Sequence, residues 1–251
     1  MSQQNKVQVF STQEALSEAA ARFIIDTATH AVTDRGRFVI SLSGGSTPKL
    51  LFELLATPQF KDELPWKNTF IFWGDERCVP ADDKDNNAHM ARQALLDHID
   101  MPAENIYPIP VDVTPGEGAV LYEKSIKDLF GSEQPCFDLI LLGLGENGHT
   151  ASLFPGTDIL HEQERLVKEV FVTEQNMFRI SMTVPLINKA RNIIFLVAGE
   201  GKATVLNTIL SGTYEPDTYP AQMISPVDGN LYWYTDEKAA SLLPNNIKLQ
   251  S

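Results

Sequence analysis

Short apolar runs alternate with amphipathic stretches along most of this chain. The runs with the continuous apolar character of buried strands are Val7–Phe10, Arg37–Leu42, Thr69–Gly74, Phe137–Leu142, Asn192–Ala198 and "LYWYT". The stretches between them predict helices from Ser11 to about Val32 and over Pro48–Leu55, Ala88–His98, Glu117–Phe130, Lys202–Leu210 and the C-terminal residues. Continuous apolar strands separated by helices are typical of a parallel sheet covered on both sides. The pattern therefore predicts an α/β fold with a doubly wound, mostly parallel sheet and helices on both faces.

Nothing along the chain interrupts this alternation. The sequence has no internal repeat, low-complexity tract or Gly/Ser-rich linker, so we expect residues 1–251 to form a single domain. Ser11 and Glu14 have the spacing of a capping box at the start of the first helix. Pro48 suits the first turn of its helix, where a missing N–H group costs nothing.

Composition and charge narrow the classes of function. The 251 residues are 43% hydrophobic, and 20 basic against 33 acidic side chains give a formal net charge of −13. A chain this acidic lacks the basic surface on which nonspecific binding to nucleic acid or anionic membranes depends, so we expect neither as a partner. An anionic ligand would have to be held by a few placed cations and backbone amides.

The first residues, "MSQQNKVQVF", are polar where a signal peptide would be apolar. No apolar run approaches the roughly 20 residues of a membrane span. Cys78 and Cys136 lie far apart and lack metal-ligand spacing, which favours reduced thiols. We therefore expect a cytoplasmic protein. The sequence predicts no oligomeric state, because a parallel-sheet domain exposes no readable interface.

Ligands of parallel sheets bind where strands end and helices begin, and four strand ends here are chemically unusual. The first carries small, hydroxylic residues that offer backbone N–H groups and hydroxyls to an anion at a helix N-terminus. It lacks the spacing of a Walker loop. The alternative is a tight turn with Thr47 as the helix N-cap. We interpret the segment as a phosphate-binding turn made of Ser43, Gly44, Gly45, Ser46 and Thr47.

The second strand end is charged, since Asp75, Glu76 and Arg77 directly follow "FIFWG". The alternative to a binding site is a solvated charged loop, and for Glu76 we prefer that interpretation. The acidic segment that follows does not match an EF-hand loop. Asn86 or Asn87 is better explained as a helix N-cap.

The third strand end, "GLGENGH", has the Gly-x-Gly-x-x-Gly spacing of a dinucleotide-binding turn between Gly143 and Gly148. That fingerprint needs a helix of useful length after the glycines, but Pro155 follows within a few residues, so we reject a nucleotide cofactor. His149 comes directly after the glycines, and a neutral imidazole at this edge can take a proton from water near pH 7. The other histidines show no metal-like clustering, and the sequence predicts no metal site.

The fourth strand end, "VAGEGK", places Lys202 at the start of a helix, where it can lend a cation to a bound phosphate. Arg179 begins another strand-like run, "RISMTV". Either side chain can also be a plain surface charge. In a chain with a net charge of −13, cations at strand ends are more informative than they would be in a basic protein.

Together these stretches resemble the 6-phosphogluconolactonase family, which belongs with the glucosamine-6-phosphate isomerase/deaminase superfamily. The resemblance is carried by "SLSGGSTP", "FWGDERCVPADDKDNN", "GLGENGHTASLFPG", "RISMTVPLIN" and "LVAGEGKA", which span most of the chain in the family's order. It implies a Rossmann-like domain that hydrolyses 6-phosphoglucono-δ-lactone to 6-phosphogluconate in the pentose phosphate pathway. It also implies that the partner is a small sugar phosphate and that neither a metal nor a nucleotide cofactor is required.

The resemblance implies roles for individual residues as well. His149 matches the general base that activates water against the lactone carbonyl. Lys202 and Arg179 match basic residues near the phosphate, which the phosphate-binding turn also faces. Arg77 matches an arginine at the cleft edge, where it either binds phosphate or stabilises the developing oxyanion. Asp75 matches a pocket residue that orients sugar hydroxyls or a histidine.

One position departs from the family pattern, because Asn147 stands where many members have Asp. An amide can orient the neighbouring histidine by hydrogen bonding, but it cannot stabilise an imidazolium by charge. We expect the amide to be tolerated and to contribute to the site, since an activated ester hydrolyses readily.

Two other functions compete with the lactonase. A glucosamine-6-phosphate isomerase/deaminase shares the fold and would use Asp75 as its enolisation base, but its two further carboxylates fall on Phe154 and Asn147 here. A non-enzymatic sugar-phosphate sensor would carry a basic helix-turn-helix segment, for which the α/β pattern beginning at Val7 leaves no room. The sequence therefore favours the lactonase.

Overall fold

Ten strands and six α-helices make up the part of the chain that the computed structural model describes, residues 6–247 and 249–250. The strands are β1 (Lys6–Phe10), β2 (Phe38–Leu42), β3 (Thr69–Trp73), β4 (Asp75–Arg77), β5 (Leu139–Leu142), β6 (Val167–Val172), β7 (Met177–Met182), β8 (Asn192–Val197), β9 (Asn230–Asp236) and β10 (Leu249–Gln250). The helices are α1 (Gln13–Arg35), α2 (Ser46–Leu55), α3 (Asn87–Ala94), α4 (Pro115–Phe130), α5 (Val184–Ile187) and α6 (Ala203–Ser211).

Seven of these strands form one parallel sheet in the order β10-β1-β9-β8-β5-β2-β3. Every residue of β2 and β5 is buried, as expected for central strands of a sheet that helices cover on both faces. The predicted α/β class with a mostly parallel sheet is confirmed. No helix in the described part of the chain is long and apolar enough to cross a membrane.

The strand order reverses at β2. The chain leaves β2 for β3 at one edge of the sheet and then returns to place β5 on the other side of β2. The register pairs Leu42 with Trp73 and Leu142 with Phe195, so neighbouring strands end at the same edge. In an open parallel sheet such a reversal leaves a crevice beyond the carboxyl ends of the strands. The topology therefore places a ligand site beyond β2 and β5.

A second, antiparallel sheet in the order β4-β7-β6 stands beside this edge. Its hairpin consists of β6, "VKEVFV", and β7, "MFRISM", which contains most of the strand-like run that begins at Arg179. The three-residue strand β4 follows β3 almost directly and pairs with β7, which sets Asp75 opposite Ser181 and Arg77 opposite Arg179. This small sheet brings the charged end of β3 and the predicted Arg179 together.

Two of the local predictions are wrong. Helix α1 is capped by Thr12, whose hydroxyl accepts from the Ala15 N–H at 3.2 Å, and not by a box of Ser11 and Glu14. The helix expected at the C-terminal end is absent from the described residues, since residues 237–247 form turns. The apolar stretch there is short and is followed by Pro244, so it supplies too few residues to repay helix nucleation.

A cleft of about 690 Å³ opens at the edge of the sheet where the parallel strands begin, opposite the carboxyl ends, and is lined by three arginines. The Asp138 carboxylate, almost fully buried, is 2.9 Å from an Arg35 nitrogen and 3.4 Å from Arg191 Nε, and it accepts the Val39 N–H at 2.9 Å. Glu133 lies 3.2 Å from Arg37. These cations are matched by carboxylates that tie the starts of strands together, which accounts for the cleft structurally.

Candidate active site

A cleft of about 260 Å³ lies where the topology places it, beyond the carboxyl ends of the central strands. Its lining brings together residues from all four unusual strand ends: Ser43, Gly44, Gly45, Asp75, Arg77, Asn87, Gly143, Leu144, Gly145, His149, Thr150, Ala151, Arg179 and Lys202. Positions as much as 159 residues apart in sequence thus face one small space, because the parallel strands end at the same edge and the pairing of β4 with β7 brings Arg77 and Arg179 to it.

The turn after β2 leaves the N-terminus of α2 without a side-chain cap. Gly45 occupies the cap position with φ 102°, a conformation that glycine adopts without strain, so Thr47 is not the cap. Uncapped N–H groups at a helix N-terminus favour an anion. Ser46 and Thr47 begin α2 and do not line the cleft themselves, so their role in binding stays a prediction.

Asn87 lines the cleft, whereas its sequence context predicts only that it or Asn86 caps a helix. Asn86 is the cap of α3, its side chain accepting from the His89 N–H at 2.8 Å. The Asn87 amide donates to the Asp75 carbonyl at 2.9 Å, and a Cβ on Gly44 would lie 1.9 Å from its oxygen. Only glycine at position 44 lets α3 approach the turn this closely. The sequence feature that could have predicted a role for Asn87 is the pair of consecutive asparagines, since only one of them can cap the helix.

The expectation that Glu76 is a solvated charge is wrong. Its side chain is buried, with 1% of the residue exposed, and it accepts the backbone N–H groups of Arg77, Asn87 and Ala88 at 2.8, 2.7 and 2.9 Å. Burial raises the pKa of Glu76 to about 7, against the lowering effect of those three donors. The carboxyl group satisfies the first turn of α3, whose orphan N–H groups need an acceptor. By accepting the Asn87 N–H, the carboxyl group fixes the position of Asn87 in the wall of the cleft.

The glycines after β5 make room for His149. The Gly145 N–H donates to the His149 carbonyl at 2.8 Å, and the Gly148 N–H donates to the Gly145 carbonyl at 3.0 Å, which closes a tight loop. A Cβ on Gly145 would lie 2.0 Å from His149 Nδ1, so the imidazole occupies the space of the missing side chain. Gly148 has φ 80° and packs against Tyr219. The Gly-x-Gly-x-x-Gly spacing therefore makes room for the His149 side chain and not for a nucleotide.

Asn147 fixes the tautomer of this imidazole. Its Oδ1 accepts the His149 backbone N–H at 3.2 Å and lies 2.5 Å from His149 Nδ1. Because the backbone N–H can only donate, the amide atom facing both groups is the oxygen, and Nδ1 must carry the proton. The lone pair is therefore on Nε2, the nitrogen that a base needs free.

The imidazole is neutral at physiological pH. The pKa of His149 is lowered to about 4, with burial as the largest cause; the cations Arg179, Lys202 and Arg77 also lower it, while Asp75 acts in the opposite direction. Asn147 offers no charge to an imidazolium. The site therefore holds a neutral acceptor beside several cations.

Asp75 is held by a buried ion pair and a hydroxyl. Its Oδ2 lies 3.6 Å from an Arg179 nitrogen, both side chains being 7% exposed, and it accepts the Ser152 hydroxyl at 2.6 Å. Breaking such a pair leaves an uncompensated buried charge. Desolvation lowers the pKa of Arg179 from its ordinary value, and Asp75 is the main group opposing that change.

The cleft carries an excess of positive charge. Arg77 and Arg179 sit directly opposite each other on β4 and β7, an arrangement of like charges that is unfavourable unless an anion joins them. The Nε atoms of both are buried and have no hydrogen-bond partner among the described residues. Lys202 adds a third cation and Asp75 the one carboxylate of the lining. In a chain of net charge −13, this cleft fits a doubly charged anion.

The family model described as "Glucosamine-6-phosphate isomerases/6-phosphogluconolactonase" matches residues 11–233, which include every residue that lines the cleft. The chain belongs to this family. The resemblance seen in the sequence is thereby confirmed.

Two relatives in the family and one solved structure match along nearly the whole chain. The 6-phosphogluconolactonase of Synechocystis sp. is 42% identical over 242 residues, covering 95% of this chain and 98% of the relative. The 6-phosphogluconolactonase of Haemophilus influenzae is 38% identical over 240 residues, covering 95% and 100%. The structure of 6-phosphogluconolactonase from Trypanosoma cruzi superimposes with a TM-score of 0.84 at 32% identity, covering 96% and 97%.

Proposed function

We propose that this chain hydrolyses 6-phosphoglucono-δ-lactone to 6-phosphogluconate, a step of the oxidative pentose phosphate pathway, with His149 as the general base. One observation carries the assignment of the base: the Asn147 oxygen that accepts the His149 backbone N–H also receives Nδ1–H and leaves Nε2 free to take a proton. The relatives named above are 6-phosphogluconolactonases, and they support the reaction.

The reaction needs only a base, a water and a group that stabilises negative charge. Nε2 of His149 accepts a proton from the water, whose oxygen forms a bond to the lactone carbonyl carbon. The tetrahedral intermediate carries its charge on the former carbonyl oxygen, and a neighbouring guanidinium such as Arg77 can stabilise it. When the bond between that carbon and the ring oxygen breaks, the imidazolium returns its proton to the ring oxygen. The product is the open-chain carboxylic acid, which loses its proton to solvent and becomes the carboxylate.

The phosphate of the substrate accounts for the excess charge of the cleft. We assign it to Arg179, Lys202 and the turn of Ser43, Gly44 and Gly45, where cations and the N-terminus of α2 lie at one edge. Asp75 holds Arg179 in place through the buried ion pair and has a second carboxylate oxygen for a sugar hydroxyl. In this arrangement phosphate binding positions the lactone, and His149 acts on its carbonyl.

The alternative within the family is isomerisation and deamination of glucosamine 6-phosphate. Phe154 and Asn147 stand where the resemblance expects two carboxylates of that reaction, and the Phe154 ring packs flat on His149. The His149 imidazole is neutral at physiological pH, so Nε2 is available to accept a proton from water in the first step. These features favour the lactonase.

A coupled assay with freshly generated 6-phosphogluconolactone tests the proposal once the spontaneous rate is subtracted. His149→Ala should lower kcat by about 10²–10⁴-fold, the usual contribution of a general base. His30→Ala, which removes a histidine on the exposed surface of α1, is the matched control and should leave kcat unchanged. Release of ammonia from glucosamine 6-phosphate, with no effect on the lactone, would refute the assignment.

The proposal extends to organisation and location. One cluster of buried apolar side chains includes residues of both sheets, such as Val7 and Val167, which supports a single domain over residues 1–251. A phosphorylated sugar does not cross membranes freely, which supports a cytoplasmic enzyme, and cell fractionation tests this. The net charge of −13 supports the absence of a nucleic-acid partner.

A further inference from the structure

The ring of Phe154 contacts two functional groups of the cleft. Its centroid lies 4.0 Å from the centroid of the His149 imidazole, with 16° between the ring planes. The guanidinium carbon of Arg179 lies 5.3 Å from the same phenyl centroid. Phe154 is 3% exposed, so its ring is part of the wall behind the site rather than of the surface.

A tight turn brings Phe154 back onto His149. The Leu153 N–H donates to the Thr150 carbonyl at 2.9 Å, and Ala151 adopts φ 47°, a conformation that non-glycine residues rarely take. On the far side the Thr157 hydroxyl donates to the Phe154 carbonyl at 2.7 Å. Backbone strain of this kind persists only where surrounding contacts determine it. The outcome here is that a residue five positions after the histidine stacks on its ring.

The imidazole is thus held from three directions. Gly145 leaves space that the imidazole fills, since a Cβ there would lie 2.0 Å from Nδ1 and 2.1 Å from Cε1. The Asn147 oxygen accepts the Nδ1–H, and the phenyl ring of Phe154 covers one face. The contact with Phe154 restrains the plane of the imidazole, because rotation out of this plane would forfeit the stacking.

The phenyl ring of Phe154 also favours the neutral form of the His149 imidazole. The charged groups that face His149 are Asp75 and Arg77 on β4, Arg179 on β7 and Lys202 before α6. Burial is the largest cause of the lowered pKa of His149, ahead of all of these charges. An apolar ring over one face excludes water from it and supplies no group that could stabilise an imidazolium.

We propose that Phe154 is a positioning residue of the lactonase site, which fixes the plane of the His149 imidazole and excludes water from one of its faces. The proposal rests on the proposed function, in which the plane of the ring decides where Nε2 points. Two variants separate its parts. Phe154→Leu removes the flat contact and stays apolar, whereas Phe154→Gln removes the contact and also admits water.

Phe60→Leu is the matched control, because Phe60 is fully buried and carries the Arg22 guanidinium 4.4 Å from its ring but lies outside the cleft. We expect Phe154→Leu to lower kcat about tenfold to a hundredfold, as a small misplacement of a reacting group does, with little change in KM. Phe154→Gln should in addition move the acid limb of kcat/KM upward by about one pH unit or more. Phe60→Leu should change neither when measured well below its midpoint of unfolding.

An NMR titration of the imidazole in the substrate-free protein provides a readout independent of activity. We expect the pKa of His149 to rise in Phe154→Gln and to stay unchanged in Phe60→Leu. The proposal is overturned if the wild type hydrolyses the lactone and both Phe154 variants retain its kcat and its imidazole titration. It is also overturned if Phe60→Leu lowers kcat as much as Phe154→Leu. If the wild type does not hydrolyse the lactone, the proposed function fails, and the titration alone decides whether Phe154 controls the imidazole.

Discussion

Replacing the Asn147 amide by a carboxylate is the sharpest perturbation of the proposed base. The amide oxygen lies 2.5 Å from His149 Nδ1 and also accepts the His149 backbone N–H at 3.2 Å. Aspartate has the same shape and can keep both hydrogen bonds. Asn147→Asp therefore leaves the geometry in place and adds one full negative charge at contact distance from the imidazole.

The size of the effect follows from the starting pKa. His149 has a pKa of about 4, and an opposite charge in close contact raises such a value by roughly 1–3 units, each worth about 1.4 kcal/mol. With a shift of about two units, the neutral fraction at pH 5 falls about tenfold relative to the wild type, and kcat/KM at that pH should fall with it. At pH 8 both proteins hold a neutral imidazole, and the stronger base in the variant should make its rate equal or higher.

The pH dependence of folding gives a second readout with a definite sign. The pKa of His149 is lower in the folded protein than its ordinary value of 6.5, so the unfolded chain binds more protons between pH 6.5 and 4. Stability is therefore lost as pH falls through this window, by about 3 kcal/mol from this group. Asn147→Asp narrows the gap between the two pKa values, so the histidine's part of that loss should become smaller.

Lactone hydrolysis measured from pH 4.5 to 8, with the spontaneous rate subtracted, checks the first effect, and urea unfolding at pH 5 and 7 checks the second. Asn176→Asp is the matched control, since it adds the same charge at an exposed turn outside the cleft. An acid limb of kcat/KM at the same pH in Asn147→Asp and the wild type would refute the reasoning. In that case His149 would not be the group whose protonation limits the rate.

Three further substitutions test other contacts of the site. Gly145→Ala would put a methyl group 2.0 Å from the imidazole and should lower kcat by about 10²-fold in steady-state kinetics. Gly201→Ala is its control, because a methyl group there meets only an ordinary 3.5 Å contact and should leave kcat unchanged. Lys202→Ala should raise KM more than it lowers kcat, as loss of phosphate binding does, and an unchanged KM relative to Lys189→Ala would remove Lys202 from the site. Glu76→Gln should lower the free energy of unfolding by about 1–3 kcal/mol in urea denaturation, because one backbone N–H group then meets an amide donor.

The parallel sheet could be predicted from sequence because a strand buried on both faces needs apolar residues at every position. β2 and β5 satisfy this condition along their whole length. The strand β4 could not be predicted in the same way, since its three residues are Asp75, Glu76 and Arg77 and carry no strand pattern. It forms because β7 pairs with it, and that partner lies about one hundred residues away in sequence.

The cleft could be predicted in outline for a related reason. Parallel strands end at one edge, so polar residues after each strand converge whatever their separation in sequence. The roles of Glu76 and Asn87 could not be read, because both depend on how closely α3 approaches β4 and the turn after β2. A glutamate beside a strand end is the same in sequence whether it faces water or the N–H groups of a helix.

The Gly-x-Gly-x-x-Gly spacing shows why a motif needs its structural context. In a dinucleotide-binding turn the missing side chains let a pyrophosphate approach the backbone. Here the space over Gly145 is filled by the His149 imidazole, and the chain then turns at Ala151 where that motif would continue into a helix. The turn returns Phe154 to the imidazole, and the Asn147 oxygen accepts a hydrogen bond from its Nδ1–H. The same spacing at the same edge of a sheet therefore positions a proton acceptor rather than a cofactor, and the residues after the glycines decide which of the two it serves.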